Sequence, residues 1–119
     1  MPHFIIECSD ELIQKHKPKE ILETVYNAAK STKLFAPGGA GGIKVRINNY
    51  QHYLTSDLQA DFIHVFAHIM EGRTEEQKRT LSQNIVSELH RLFPDLEVIS
   101  MNILDIDKKS YVNKAMVVS

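Results

Sequence analysis

Phe62-Ile63-His64-Val65-Phe66-Ala67-His68-Ile69-Met70 runs directly into Glu71-Gly72-Arg73, and Thr74 follows with Gln77 three residues later. Within the first of these segments Ile63, Val65, Ala67 and Ile69 fall on one side of an extended chain. His64, Phe66, His68 and Met70 fall on the other, which is the two-residue period of a β-strand. Glu71-Gly72-Arg73 reads as a turn. Thr74 and Gln77 have the spacing of a capping box, whose side chains satisfy the free N–H groups of a helix start. Leu81, Ile85, Leu89 and Leu92 then recur on one helical face, Pro94 marks the end of that helix, and Leu96–Ile106 reads as another strand. The segment is therefore a βαβ unit.

Working outward toward the N-terminus, the same order appears a second time. His3–Cys8 is a short apolar run expected to be a buried strand, followed by polar Ser9, Asp10 and a lysine-rich approach to Pro18. Proline suits the first turn of a helix, where its missing N–H has no intrahelical partner, and Ile21, Leu22, Val25, Ala28 and Ala29 share the face that would meet a sheet. Pro37-Gly38-Gly39-Ala40-Gly41-Gly42 stops the helix, and Ile43-Lys44-Val45-Arg46-Ile47 alternates apolar with basic side chains, placing Lys44 and Arg46 on one strand face. Asn48–Gln59 is a polar connection, and Tyr111–Val118 is a short apolar tail suited to pairing with another element. These spacings predict an α+β fold: one domain over residues 1–119, two βαβ halves at about 1–60 and 61–119, and a four-stranded mixed sheet with two helices on one face. The opposite sheet face is expected to be apolar and to drive self-association.

At 119 residues and 43% apolar content, division into two domains would leave neither part able to bury a useful core. The 14 lysines and arginines are balanced by 15 acidic residues, so no surplus charge exists to hold a nucleic acid or an anionic membrane nonspecifically. No apolar run approaches the length of a membrane span, and a soluble, cytoplasmic protein is expected. A single cysteine, Cys8, excludes an internal disulfide and fits a buried thiol. His64 and His68 have the spacing of a helical metal pair, but on a strand that spacing is about four rises of 3.3 Å, too far for one ion. The glycine run lacks the lysine and hydroxyl residue of a phosphate-binding loop.

Pro2-His3-Phe4-Ile5-Ile6-Glu7-Cys8-Ser9-Asp10 closely resembles the opening of the 5-carboxymethyl-2-hydroxymuconate isomerase family, and the likeness resumes at Gly42-Ile43-Lys44-Val45-Arg46 and at Gly72-Arg73. Ile69-Met70-Glu71-Gly72-Arg73-Thr74-Glu75-Glu76-Gln77-Lys78 separately resembles the start of 4-oxalocrotonate tautomerase, a member of the same tautomerase superfamily. The resemblance touches both halves and is poor only around residues 10–20 and 48–60. It implies a duplicated βαβ fold, a homotrimer with active sites at subunit contacts, and an N-terminal proline acting as acid and base without metal or cofactor. By that resemblance Pro2 is the catalytic residue once Met1 is removed, and Arg73 binds a substrate carboxylate. Lys44 stands where the family has a substrate-binding arginine, which keeps the charge but loses the planar fork. Arg46, on the same strand face, is a further candidate for that contact.

The chemistry implied is the transfer of a proton from an enol hydroxyl to a carbon of a conjugated chain. An ordinary terminal amine titrates at about 7.7–8.0 and a proline amine higher, so burial or nearby cations must lower it to serve near neutral pH. The expected substrate is a small carboxylate, with 5-carboxymethyl-2-hydroxymuconate leading. Another 2-hydroxydienoate or an arylpyruvate enol is the alternative for the same chemistry. A noncatalytic trimeric binding module is the alternative of a different class.

Overall fold

The computed structural model describes residues 1–58 and 60–118. Gln59, at the end of the expected polar connection, and Ser119, at the end of the expected second half, lie outside the described residues. The elements are β1 (His3–Ser9), α1 (Asp10–Lys15), α2 (Pro18–Ser31), a single 3-10 turn at Gly39–Gly41, β2 (Lys44–Tyr50), β3 (Phe62–Met70), α3 (Glu75–Leu92), β4 (Val98–Ile106) and α4 (Lys114–Val117). The strands lie in the order β2-β1-β3-β4. β1 and β2 are parallel, β3 and β4 are parallel, and the two pairs meet through antiparallel β1 and β3, giving the expected duplicated βαβ in one mixed sheet.

Register follows the apolar alternation. Phe4 lies opposite Val45 and Ala67, and Ile6 lies opposite Ile47 and Val65. Phe4, Ile6, Val65 and Ala67 are fully buried beneath the helices, with Ile21, Val25 and Ala29 of α2 and Leu81, Ile85 and Leu89 of α3, while Val45 and Ile47 are partly buried against them. Leu22 and Leu92 pack at the margin of that core. Cavity-forming truncation of such aliphatic residues typically destabilises a protein by about 2–5 kcal/mol, so this layer carries much of the fold. The capping box is present: Thr74 Oγ1 accepts from the Gln77 amide at 3.1 Å, and Gln77 Oε1 accepts from the Thr74 amide at 2.9 Å. Cys8 is buried, and burial, with the charges of Asp10 and Asp61, pushes its thiol up to about 11. It is a packing residue, not a nucleophile at neutral pH.

Several expectations are corrected. A short helix, α1, occupies the polar approach to Pro18, where Leu12 is the one buried residue and leaves no periodic signal. β2 runs on to Tyr50 because Asn48, Asn49 and Tyr50 pair with Glu7, Cys8 and Ser9, a backbone interaction indifferent to side-chain polarity. β4 begins at Val98 because Leu96 is still in the turn, its amide donating to the Phe93 carbonyl at 3.1 Å. Within the tail, Asn113 caps the one-turn helix α4.

The uncovered sheet face also departs from expectation, since it is mixed rather than apolar. Ile5, Phe62 and Phe66 share it with His3, Glu7, Lys44, Arg46, His64 and His68. The polar groups bond along it: Tyr50 donates to Glu7 at 3.1 Å, and His64 accepts from the Ser100 hydroxyl and donates to Asn102 Oδ1, each at 2.6 Å. Alternation predicted which residues face outward, but not that cross-strand neighbours would satisfy them. No helix among the described residues is long and apolar enough to cross a membrane.

His3 illustrates the electrostatics of that face. Arg46 Nη1 donates to His3 Nδ1 at 3.0 Å, which requires the ring to be neutral at that nitrogen. Partial burial first, then Arg46, the terminal amine, Lys44 and His68, hold its pKa below the ordinary histidine value. The folded state therefore prefers neutral His3, so its contribution to stability is present above about pH 6.5 and is lost as pH falls through the lower folded value. Ring NMR of the folded protein should place the His3 midpoint below that of the denatured chain. The loss of thermal stability on acidification below about pH 6.5 should be shallower in His3→Asn. A folded midpoint at or above the denatured one would contradict this account.

Candidate active site

The mixed topology brings the starts of β1 and β2 and the ends of β3 and β4 to one end of the sheet. Pro2 immediately precedes β1; its ring is fully buried, and its carbonyl accepts from the Lys44 amide at 3.2 Å. The glycine run that ends the α2 connection curls over this point. Gly39 sits at φ +65°, a conformation that favours glycine, and the Gly42 amide donates to the Gly39 carbonyl at 3.1 Å. A Cβ on Gly42 would lie 2.9 Å from the Gly38 backbone, so the loop closes this tightly only without one.

Met1 carries the terminal amine in this structure, and that amine donates to the Ala40 carbonyl. Burial, then the Lys44 ammonium nearby, pull its pKa below the ordinary amine value. Two effects disfavour the same charged form here: lost hydration and a like charge.

Arg73 reaches this end from the turn after β3, where Gly72 at φ +118° allows the chain to reverse. Its Nη2 donates to the Leu34 carbonyl at 2.8 Å and its Nη1 to the Met70 carbonyl at 3.3 Å, while the guanidinium lies 5.3 Å from the Phe35 ring centre. These contacts use only part of the donor fork and fix its direction. Arg73 and Met1 line one cavity of about 290 Å³, with Ala36, Met70, Tyr111 and Met116 supplying much of the wall.

Lys44 and Arg46, placed with Arg73 by sequence reading, do not line that cavity. The Lys44 ammonium is bound by carbonyls of the glycine loop, at 2.6 Å from Gly42, 3.1 Å from Gly39 and 3.3 Å from Ala40. Arg46 is turned along the uncovered sheet face toward His3. Tyr111 and Met116 were missed as cavity residues. Their signal was an apolar tail of no clear period, and only the return of the chain past Ile106 brings them to the amine. A second cleft, about 370 Å³, lies at the opposite end of the sheet between α1, the residues before β3 and the α3–β4 turn; Leu12, His16, Asp61 and Phe93 are among its residues. Among the described residues no group of three or more His, Cys, Asp or Glu is arranged to hold a metal ion.

In chemical terms the first cavity joins an amine of depressed basicity to a fixed guanidinium within largely apolar walls. Such a site suits proton transfer on a small carboxylate. No curated protein matches the chain. Among solved structures it is similar to a 5-carboxymethyl-2-hydroxymuconate isomerase from Deinococcus radiodurans R1, at TM-score 0.78 and 23% identity over 95% of this chain and 88% of that one. It is also similar to a 5-carboxymethyl-2-hydroxymuconate delta-isomerase, at TM-score 0.73 and 17% identity over 100% and 94% of the two chains. A fused 4-OT solved as a symmetric trimer has TM-score 0.71 and 16% identity over 95% and 94%. At these identities the structures bear on the fold alone. The sequence pattern of the 5-carboxymethyl-2-hydroxymuconate isomerase family, however, matches residues 2–116, nearly the whole chain, and the protein belongs to that family of isomerases.

Proposed function

We propose that this protein is a cofactor-independent tautomerase that converts a 2-hydroxymuconate-type dienol, with 5-carboxymethyl-2-hydroxymuconate the leading candidate, into its 2-oxo form. The observation that carries the reading is the cavity lined by both Met1, the residue joined to the Pro2 nitrogen, and Arg73; Pro2 itself lies buried just behind it. Removal of Met1 leaves Pro2 with a free secondary amine, held on a rigid ring beside the strand to which its carbonyl is bonded. The amine takes the proton of the 2-hydroxyl as that O–H bond breaks. The electron pair forms the C2 carbonyl, the double bonds shift along the chain, and the pyrrolidinium returns the proton to carbon. Arg73 holds a carboxylate during both steps, and Arg46 adds positive charge on the neighbouring strand for the substrate's other anionic groups, while the Lys44 ammonium stays with the glycine-loop carbonyls.

The apolar walls supplied by Ala36, Met70, Tyr111 and Met116 favour a second reading of the substrate, an arylpyruvate enol with one carboxylate and an aromatic body. Both substrates use the same base. For assembly, the trimeric fused 4-OT and the exposed Val98 and Leu104 on the uncovered sheet face support a homotrimer of this chain.

Pro2→Ala, with mass spectrometry confirming that Met1 is gone, should lose most enol-to-keto turnover followed by ultraviolet absorbance, while circular dichroism stays unchanged. Full turnover in that variant would end the proline reading. Arg73→Ala should lower kcat/KM for a dicarboxylate enol by roughly tenfold to hundredfold, the value of a lost charge-assisted contact, and should do so more than for a monocarboxylate. Equal losses on both would point to general damage, since Arg73 also holds the Leu34 and Met70 carbonyls. Sedimentation equilibrium at micromolar concentration should report three chains per particle; a stable monomer would remove the assembly proposal.

A further inference from the structure

The glycine loop is built in the opposite sense to a phosphate-binding loop. Anion loops turn backbone N–H groups toward their ligand. Here the Gly39, Ala40 and Gly42 carbonyls converge instead, and what they converge on is the Lys44 ammonium. The Ala40 carbonyl has a second donor, the terminal amine. Lys44 and the Met1 amine are therefore joined through one peptide group of the loop, and the Lys44 amide separately holds the carbonyl of Pro2, whose nitrogen becomes the terminal amine when Met1 is removed.

We propose that Lys44 is a positioning residue for the N-terminal amine, acting through the glycine loop: its ammonium gathers the three carbonyls and so fixes the wall against which the amine lies. The inference rests on the proposed role of that amine and specifies how Lys44 serves it. An ammonium suits the task because it is compact and its donors diverge in three directions. A guanidinium is planar and presents its donors as a fork, which three carbonyls converging on a point cannot satisfy together. Lysine in place of the family's arginine is thus matched to this loop, whose closure also needs a glycine at position 42. The lowered basicity of the amine, caused in part by the Lys44 charge, is consistent with the same arrangement.

Two variants separate holding the loop from supplying charge. Lys44→Met removes both, and Lys44→Arg keeps the charge without the convergence. In the Met1-free protein without substrate, hydrogen exchange at the Gly42 amide should accelerate by about tenfold in both variants, the scale of one lost hydrogen bond. NMR titration of a ¹⁵N-labelled Pro2 amine should move upward in Lys44→Met and remain near the wild-type midpoint in Lys44→Arg. With substrate, both variants should lower kcat with little change in KM. Unchanged Gly42 exchange in Lys44→Met would overturn the proposal. So would a rise in KM for a dicarboxylate at constant kcat, the signature of a lysine that grips substrate directly. The exchange and titration need no turnover, so they remain decisive even if Pro2→Ala shows the tautomerase reading to be wrong.

Discussion

The antiparallel pairing of β1 with β3 is the constraint on which the rest of the molecule depends. Each βαβ unit has an apolar sheet face only partly covered by its own helix. Laying Phe4 against Ala67 and Ile6 against Val65 merges the two faces into one core under α2 and α3. Because the strands run in opposite directions, the end of β3 arrives beside the start of β1. Arg73 thereby lines the same cavity as Met1, although 70 or more residues of chain separate them. A parallel pairing would bury as much apolar surface and would put the guanidinium at the far end.

Charge at this end is managed by the backbone as much as by side chains. Carbonyls hold three cations near this end: Ala40 the Met1 amine, Leu34 and Met70 the Arg73 fork, and the glycine loop Lys44. Carbonyl dipoles offset the lost hydration of these cations without neutralising them, as paired carboxylates would. Positive potential thus remains at this end, and the Met1 amine is less basic than an ordinary one.

What the sequence revealed and what it hid divide along physical lines. Strands β1 and β3, helices α2 and α3 and the Thr74–Gln77 cap were legible because each has a period or spacing that only one local structure satisfies. The place of Arg73 in the turn between β3 and α3 was legible from the Glu71-Gly72-Arg73 segment. α1 was not, because six residues with one buried side chain carry no period. The partners of Lys44 and Arg46 were hidden for a different reason. Alternation placed both on one strand face, yet whether a long cation turns to a loop carbonyl or to a histidine depends on groups that tertiary folding alone brings near. The same holds for Tyr111 and Met116, whose place in the cavity is set by the return of the tail.

Duplication with reversed direction also makes the protein pseudo-symmetric, and the second cleft is the counterpart of the first. Its walls come from the segment before β3, the α3–β4 turn and the residues after β1, matching the segment before β1, the α2–β2 loop and the residues after β3. The chemistry does not repeat. Counting three residues past each strand, Arg73 corresponds to Leu12, and the place of the terminal amine falls near Asp61, which is joined by peptide bonds on both sides and offers only an amide nitrogen. The two hollows are equivalent in backbone and differ in their side chains. One backbone plan therefore frames two hollows of unlike chemistry, with Met1 and Arg73 in the wall of one and Lys15, His16 and Asp61 in the wall of the other, so a change of lining at either end leaves the other intact.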